Sequence, residues 1–274
     1  MNLDRLVCPI CKGRLERDGD LRCSACGRLF PQRDARWVDL IPEDLSDSER
    51  RWASRQREME QAYAELAADP AHAKLAYRND LRGYSDRLAR CAGRVLDVGG
   101  GQGLVRHYLP PDADYVVVDP STSWFEQPWH AIADEFPCLL EPLAFGRGKA
   151  EHLPFPDASF DWALSFFSLN HVERPDLVLA EIARVLQPGG GLLISLDDVE
   201  PAWRDVLDGD HRDPRFPTRA ALAFAKLSSV LRGWPLQPDH QRIRERELRA
   251  FTRSFHWDER AWVGSYLTLI LRKR

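Results

Sequence analysis

Arg94-Val-Leu-Asp-Val-Gly-Gly-Gly-Gln-Gly103 decides how this 274-residue chain folds. Arg94 to Val98 is a short apolar run with the character of a strand buried on both faces, as central parallel strands are. The glycines after it let the backbone turn sharply, and the spacing predicts a helix beginning near Gly103. Bare backbone at Gly99 and Gly101 lets a ligand approach closely, and a helix N-terminus there favours an anion. Tyr115-Val-Val-Val-Asp119 reads as the next strand, ending in an acid that can accept the hydroxyls of a ribose. A dinucleotide fingerprint starting at Gly99 and Gly101 would need glycine at position 104, where Leu104 stands.

Three further blocks follow. Gly148-Lys-Ala-Glu-His-Leu-Pro-Phe-Pro-Asp-Ala-Ser-Phe-Asp161 leads into Trp162-Ala-Leu-Ser-Phe-Phe-Ser-Leu-Asn-His-Val172, a strand running into a loop. Pro175 to Val185 is a helix pointing Leu177, Ala180, Ile182 and Val185 inward. Gln187-Pro-Gly-Gly190 then turns into the strand Leu192–Leu196.

Asp97-x-Gly99-x-Gly101-x-Gly103 resembles the glycine pattern of class I methyltransferases. The block at 148–161 is similar to the adenine-side stretch of ubiquinone- and menaquinone-type C-methyltransferases. As a set, residues 93–197 resemble the methyltransferase type 11 family. That resemblance implies an α/β, doubly wound Rossmann-like sheet with ligands at the C-terminal strand ends. It implies S-adenosylmethionine as cofactor, held by Asp97, Gly99, Gly101, Gly103, Asp119, Pro120, Ala150, Glu151 and Phe166. Ala150 and Glu151 would lie beside the adenine edge, and Lys149 stands where relatives carry an acid. A late helix over 242–255 and antiparallel edge strands over 261–272 would complete the domain, 93–274.

Cys8-Pro-Ile-Cys11 and Cys23-Ser-Ala-Cys26 are two C-x2-C pairs eleven residues apart. Joined by a hairpin, they can set four thiolates at the corners of a tetrahedron, as structural zinc requires. Gly13 and Gly27 supply turns that aim amides at sulfur, and Lys12, Arg14, Arg22 and Arg28 offset the thiolate charge. Two disulfides are the alternative, and they need an oxidising compartment. With Leu40-Ile-Pro42 the segment resembles the zinc ribbon of small activator subunits of tRNA and protein methyltransferases. Residues 1–42 are therefore expected to be a ribbon holding Zn²⁺ on Cys8, Cys11, Cys23 and Cys26.

Residues 43–92 carry no strand signal. Ser46-Asp-Ser48 can cap a helix with Trp52, Met59, Tyr63 and Leu66 on one face. Pro70 breaks the run, and a second helix carries Leu75, Leu81, Tyr84 and Leu88. This connector either packs as a spacer or caps the substrate side, with Tyr77 and Tyr84 as pocket candidates. Residues 200–240 read as an insert on that side, with Trp203, Phe216 and Trp234 either packing or touching substrate.

The chemistry needs a nucleophile in line with the methyl group, and a base only if that nucleophile must lose a proton. His171, after the fourth strand of the domain, is the candidate catalytic residue; a backbone hydrogen bond beside the cofactor is its plainer role. Asp197 and Asp198 also face the reaction side, with His211 and His240 in or near the insert. Net charge is −4, which argues against a global nucleic-acid-binding field. Nine Arg/Lys against four Asp/Glu from Gln241 to Arg274 read as a solvated face rather than an RNA track. The N-terminus lacks a signal-peptide pattern and no run is long enough to span a membrane, so a cytoplasmic setting is expected. The leading expectation is methyl transfer to a small-molecule acceptor. An rRNA guanine methyltransferase with an RNA-reading ribbon, and a non-catalytic scaffold of the same fold, are the alternatives.

Overall fold

The computed structural model describes residues 6–32, 37–41, 57, 59–209, 211–234 and 240–274. Strands β1 (Leu15–Asp18), β2 (Asp20–Cys23) and β3 (Leu29–Phe30) form a small antiparallel sheet. Strand β4 (Val38–Asp39) leaves that unit and pairs in parallel with the large sheet. Helices α1 (residues 59–67), α2 (Pro70–Arg82) and α3 (Ser85–Leu88) follow. Pro70 sits at the first turn of α2, where its missing N–H costs nothing, and Asp69 caps that turn by accepting from the His72 amide. Ser46, Ser48 and Trp52 lie outside the described residues.

The main sheet is built on β5 (Arg94–Val98), β6 (Asp114–Asp119), β7 (Ala144–Arg147), β8 (Phe160–Phe166) and β9 (Leu186–Leu196), all parallel. Strands β10 (Phe255–Val263) and β11 (Tyr266–Lys273) close one side antiparallel, giving the order β10-β11-β9-β8-β5-β6-β7-β4. Helices α4 (Pro175–Val185), α5 (Trp203–Asp208), α6 (Arg219–Arg232) and α7 (Glu245–Phe251) lie between the later strands. Alternate residues of β5 feed different cores. Leu96 and Val98 join the apolar cluster that holds α4 and α7, whereas Val95 joins the one that holds α2 and α3. A sheet buried on both faces in this way is doubly wound, as expected from its uninterrupted apolar strands.

Two expected helices differ. After Gly103 the chain makes only a 3-10 turn, Leu104–Tyr108. Pro110 forces Leu109 into extended backbone (ψ 158°), which stops the helix after little more than a turn. The late helix α7 occupies seven residues of the expected 242–255. The stripe of the second connector helix is also shorter than expected: Leu81, Tyr84 and Leu88 are buried, but Leu75 is 54% exposed.

The ribbon docks on the α4 face. Its Leu6, Cys8, Leu21, Cys23 and Phe30 share one core with Leu153 and Phe155. The Val7 amide donates to Pro154 O (2.9 Å). Lys12 Nζ reaches Glu181 Oε2 (2.6 Å) and Leu153 O (3.2 Å). Lys12 is thus a docking residue more than a counter-charge for sulfur. At the far edge, Arg147 pairs with buried Asp39 at 2.8 Å.

Candidate functional site

The C-terminal ends of β5, β6 and β8 open into one cavity of about 310 Å³. Gly99, Gly101, Asp97, Asp119, Pro120, Ala150, Glu151, Phe166 and His171 all line it. Gly103 does not: a Cβ there would meet Leu143 and Tyr115 behind the wall. Gly99 has φ +76°, and a Cβ on it would stand 2.4 Å from Ser168 Cβ. That position requires glycine on both counts.

Asp97 is buried (1% exposed) at the end of β5. Tyr115 Oη donates to its Oδ2 at 2.5 Å, while Oδ1 is buried with no hydrogen-bond partner among the described residues. Burial pushes its pKa up to about 7, against the lowering effect of the Tyr115 hydroxyl. A buried carboxylate oxygen without a donor is costly, and an ammonium group would satisfy it. The residues present therefore fit the aminoacyl tail of S-adenosylmethionine: an acceptor awaiting a donor beside a bare glycine bend.

Asp119 is more occupied than expected. Oδ1 accepts from the Ser121 amide (2.8 Å) and Trp124 Nε1 (3.1 Å), and Oδ2 from the Gly101 amide (3.1 Å). Burial raises its pKa, opposed by these donors. With two lone pairs per oxygen, only Oδ2 keeps room for one sugar hydroxyl. Accepting both requires Trp124 to swing away. The Trp124 ring lies against Gly101, 3.0 Å from where a Cβ would stand, and meets Tyr63 edge-on at 4.7 Å. Met59, Tyr63 and Leu66 of the connector stripe line the cavity, as do Trp124 and Asp80, which sequence reasoning does not single out. A large aromatic five residues after the strand-end acid was the available signal for Trp124.

Glu151 Oε1 accepts the Glu173 amide at 3.1 Å, which ties the turn Ala150–His152 to the approach to α4. Tyr77 lines the cavity, but Tyr84 is fully buried and bonds Ser195 Oγ at 2.6 Å, so it is core. Phe216 and Trp234 pack with Val206 and Leu222 in a small core of their own, and Trp203 is 45% exposed. None of the three lines the cavity.

His171 sits where the 3-10 turn Leu169–His171 ends. Its ring meets the His240 ring edge-on, centroids 4.5 Å apart. Buried Asn170 bonds Asp197 O (3.0 Å) and Gln241 O (3.4 Å), joining the β8 loop to the ends of β9 and the insert. Asp197 and Asp198 both reach His240, whereas buried His211 lies 3.8 Å from Asp213.

In the ribbon the four cysteine sulfurs lie within 4.8 Å of one another and form no disulfide. Cys11 and Cys23 are 3.4 Å apart, Cys8 and Cys26 3.8 Å. Sulfurs bound about 2.3 Å from one tetrahedral ion stand roughly 3.8 Å apart. A Cβ on Gly13 would strike Ala25 (2.6 Å) and Cys23 Sγ (3.0 Å), so glycine keeps the thiols together. Cys23 is held down to about 7: burial would raise it, but the Cys26 and Ala25 amides facing its sulfur prevail. The geometry fits a four-thiolate ion with no open position.

Comparison with known proteins agrees with this division. Residues 96–194 match the model of the methyltransferase domain, and residues 3–34 that of Trm112p-like proteins. A ubiquinone/menaquinone biosynthesis C-methyltransferase of Pseudomonas paraeruginosa is 34% identical over 109 residues, 38% of this chain and 42% of that protein. An uncharacterized methyltransferase of Schizosaccharomyces pombe is 31% identical over 113 residues, 39% of this chain and 41% of that protein. The chain thus spans less than half the length of these relatives. The fold matches the Burkholderia thailandensis 1,6-didemethyltoxoflavin-N1-methyltransferase, solved with 1,6-didemethyltoxoflavin and S-adenosylhomocysteine. There the TM-score is 0.51 at 21% identity, over 85% of this chain and 93% of that one. This chain thus joins a segment that matches Trm112p-like proteins to a Rossmann-like sheet whose residues 96–194 match the methyltransferase domain model.

Proposed function

We propose that the protein transfers a methyl group from S-adenosylmethionine to a small-molecule acceptor, with a structural Zn²⁺ in the ribbon. One observation carries the reading: the unpartnered Asp97 oxygen, the glycine bend and Asp119 converge on a single cavity. The bound cofactor supplies a methyl group already activated by its sulfonium. Asp97 holds the ammonium of the tail, Gly99 and Gly101 leave room for it, and Oδ2 of Asp119 takes a sugar hydroxyl. Tyr63, Tyr77, Phe166 and Phe167 give the remaining wall an apolar character suited to excluding water. The relatives named as C-methyltransferases of quinone biosynthesis favour a small acceptor over RNA, as does the net charge of −4. Calorimetry with S-adenosylmethionine tests the cofactor; a folded, zinc-loaded sample that binds none overturns the reading. Labelled methyl transfer, assayed in parallel with metabolite extracts and with rRNA, tests the acceptor. Label in a small-molecule fraction is expected, and label confined to rRNA refutes that part.

A further inference from the structure

A second cluster of metal-ligating side chains, built from three distant segments, meets the cleft through His171, its one member that lines the cavity. His171 follows β8, Asp197 follows the adjacent parallel strand β9, and His240 lies where the chain returns from the insert. One ligand atom from each lies within 4.8 Å of the others. His240 Nε2 and Asp197 Oδ2 are 3.5 Å apart. Ligands about 2.1 Å from one tetrahedral ion stand roughly 3.4 Å apart, so that pair needs no movement and His171 needs a modest one.

The surroundings are those of a ligating imidazole. Asp198 Oδ2 meets His240 Nδ1 at 2.8 Å, which leaves Nε2 to face Asp197. Asp198 is itself held by Arg215 at 2.7 Å. A carboxylate behind the non-ligating nitrogen fixes the tautomer and sharpens the other nitrogen as a donor. Asp198 adopts φ +50°, a left-handed conformation that lets two consecutive carboxylates approach opposite nitrogens of one ring. Asn170 braces the frame through Asp197 O and Gln241 O, and the Gln241 amide returns to Asn170 O at 3.0 Å. Each ligand therefore has a neighbour fixed by buried hydrogen bonds.

We propose that His171, Asp197 and His240 form a second metal site, distinct from the cysteine quartet, for a divalent transition ion taking nitrogen and oxygen ligands. Three protein ligands leave positions open, and His171 places them at the cavity. The chemistry that follows rests on the methyl-transfer reading: the ion binds an acceptor hydroxyl and eases its deprotonation. The O–H bond breaks and its proton leaves to water. An oxygen lone pair forms the bond to the methyl carbon, and the C–S electron pair returns to sulfur. An oxygen acceptor able to bind a metal is the substrate class that this site selects.

Cobalt titration of the full chain tests it. Wild type is expected to take two Co²⁺ per chain, one with intense thiolate charge-transfer bands and one with weak bands of nitrogen and oxygen ligation. Asp197→Asn and His240→Gln should each lose the second equivalent and keep the thiolate bands intact. Asp198→Asn should weaken the second site about tenfold to a hundredfold without abolishing it. Retained S-adenosylmethionine binding certifies that each variant is folded. A wild type that saturates at one equivalent, or an Asp197→Asn protein that still takes two, overturns the proposal. If wild type binds S-adenosylmethionine but only one metal, the second site fails and the methyl-transfer reading stands. If it takes two metals but no S-adenosylmethionine, the reading of the cleft fails and the metal site survives.

Discussion

The ribbon and the cleft are built by opposite routes. In the ribbon, strands of two to four residues surround four thiols, and the ligand set organises the backbone. In the cleft, the backbone comes first. A sheet with a core on each face fixes the ends of β5, β6 and β8, and the site is what those ends leave between them. The first arrangement is one that a bound ion would hold in shape. The other holds its shape without a ligand and stores an unsatisfied carboxylate oxygen for one. The two regions should therefore respond to different losses, even though they share the core around Leu153 and Phe155.

The largest effect is expected from Cys23→Ser. Structural zinc contributes on the order of 10 kcal/mol to such segments, so calorimetry should lose the ribbon's transition while the sheet's remains. A ribbon that melts unchanged with no zinc bound would erase the contrast. Next comes Gly99→Val, which sets a branched side chain against Ser168 at positive φ. S-adenosylmethionine affinity should fall more than about a hundredfold, or 2.7 kcal/mol, with the ribbon's zinc retained.

Asp97→Asn should weaken binding about tenfold to a hundredfold, as loss of a charge-assisted hydrogen bond does. The pH dependence has a definite sign. The Asp97 carboxyl is raised to about 7, so its contribution to stability is present below the ordinary carboxylate range and is lost as pH rises through about 7. The ionised form is the one that takes an ammonium. Affinity measured by calorimetry should therefore rise through about 7 in the wild type and stay flat in Asp97→Asn.

The smallest effect belongs to Lys12→Met. Burial lowers the Lys12 pKa even beside Glu181, whose own carboxyl is held low by Arg184 and Lys12 against its burial. The Lys12 side chain is 30% exposed, which puts the loss at about 1–2 kcal/mol, read as a few degrees in Tm. Unchanged S-adenosylmethionine affinity is expected, and a parallel loss of affinity would show that docking shapes the cleft.

Features written in neighbouring residues were legible in the sequence. The cysteine quartet sits within nineteen residues and the glycine bend within five; helix α4 spans Pro175 to Val185 as expected, but its buried face is Val178, Leu179, Ile182 and Val185, and Leu177 and Ala180, read as inward, are exposed. Features that depend on where a distant chain returns were not. Trp124 on Gly101 and the meeting of His171 with His240 come from packing that no local pattern encodes. The helix expected after Gly103 stops locally, because Pro110 holds Leu109 in extended backbone. Leu75 failed because a helix between two packed units need not bury its whole stripe.

Strand β4 is only two residues long, yet it lies at the rim of the eight-stranded sheet. Without it, Ala144–Arg147 would present a bare row of amides and carbonyls, a template on which another polypeptide could add. Val38 and Asp39 pair with Gly146 and Arg147, the second half of that row, and place an ionic clasp, Asp39 with Arg147, at the margin. The N-terminal segment thus also shields part of the large sheet's margin from edge-to-edge pairing.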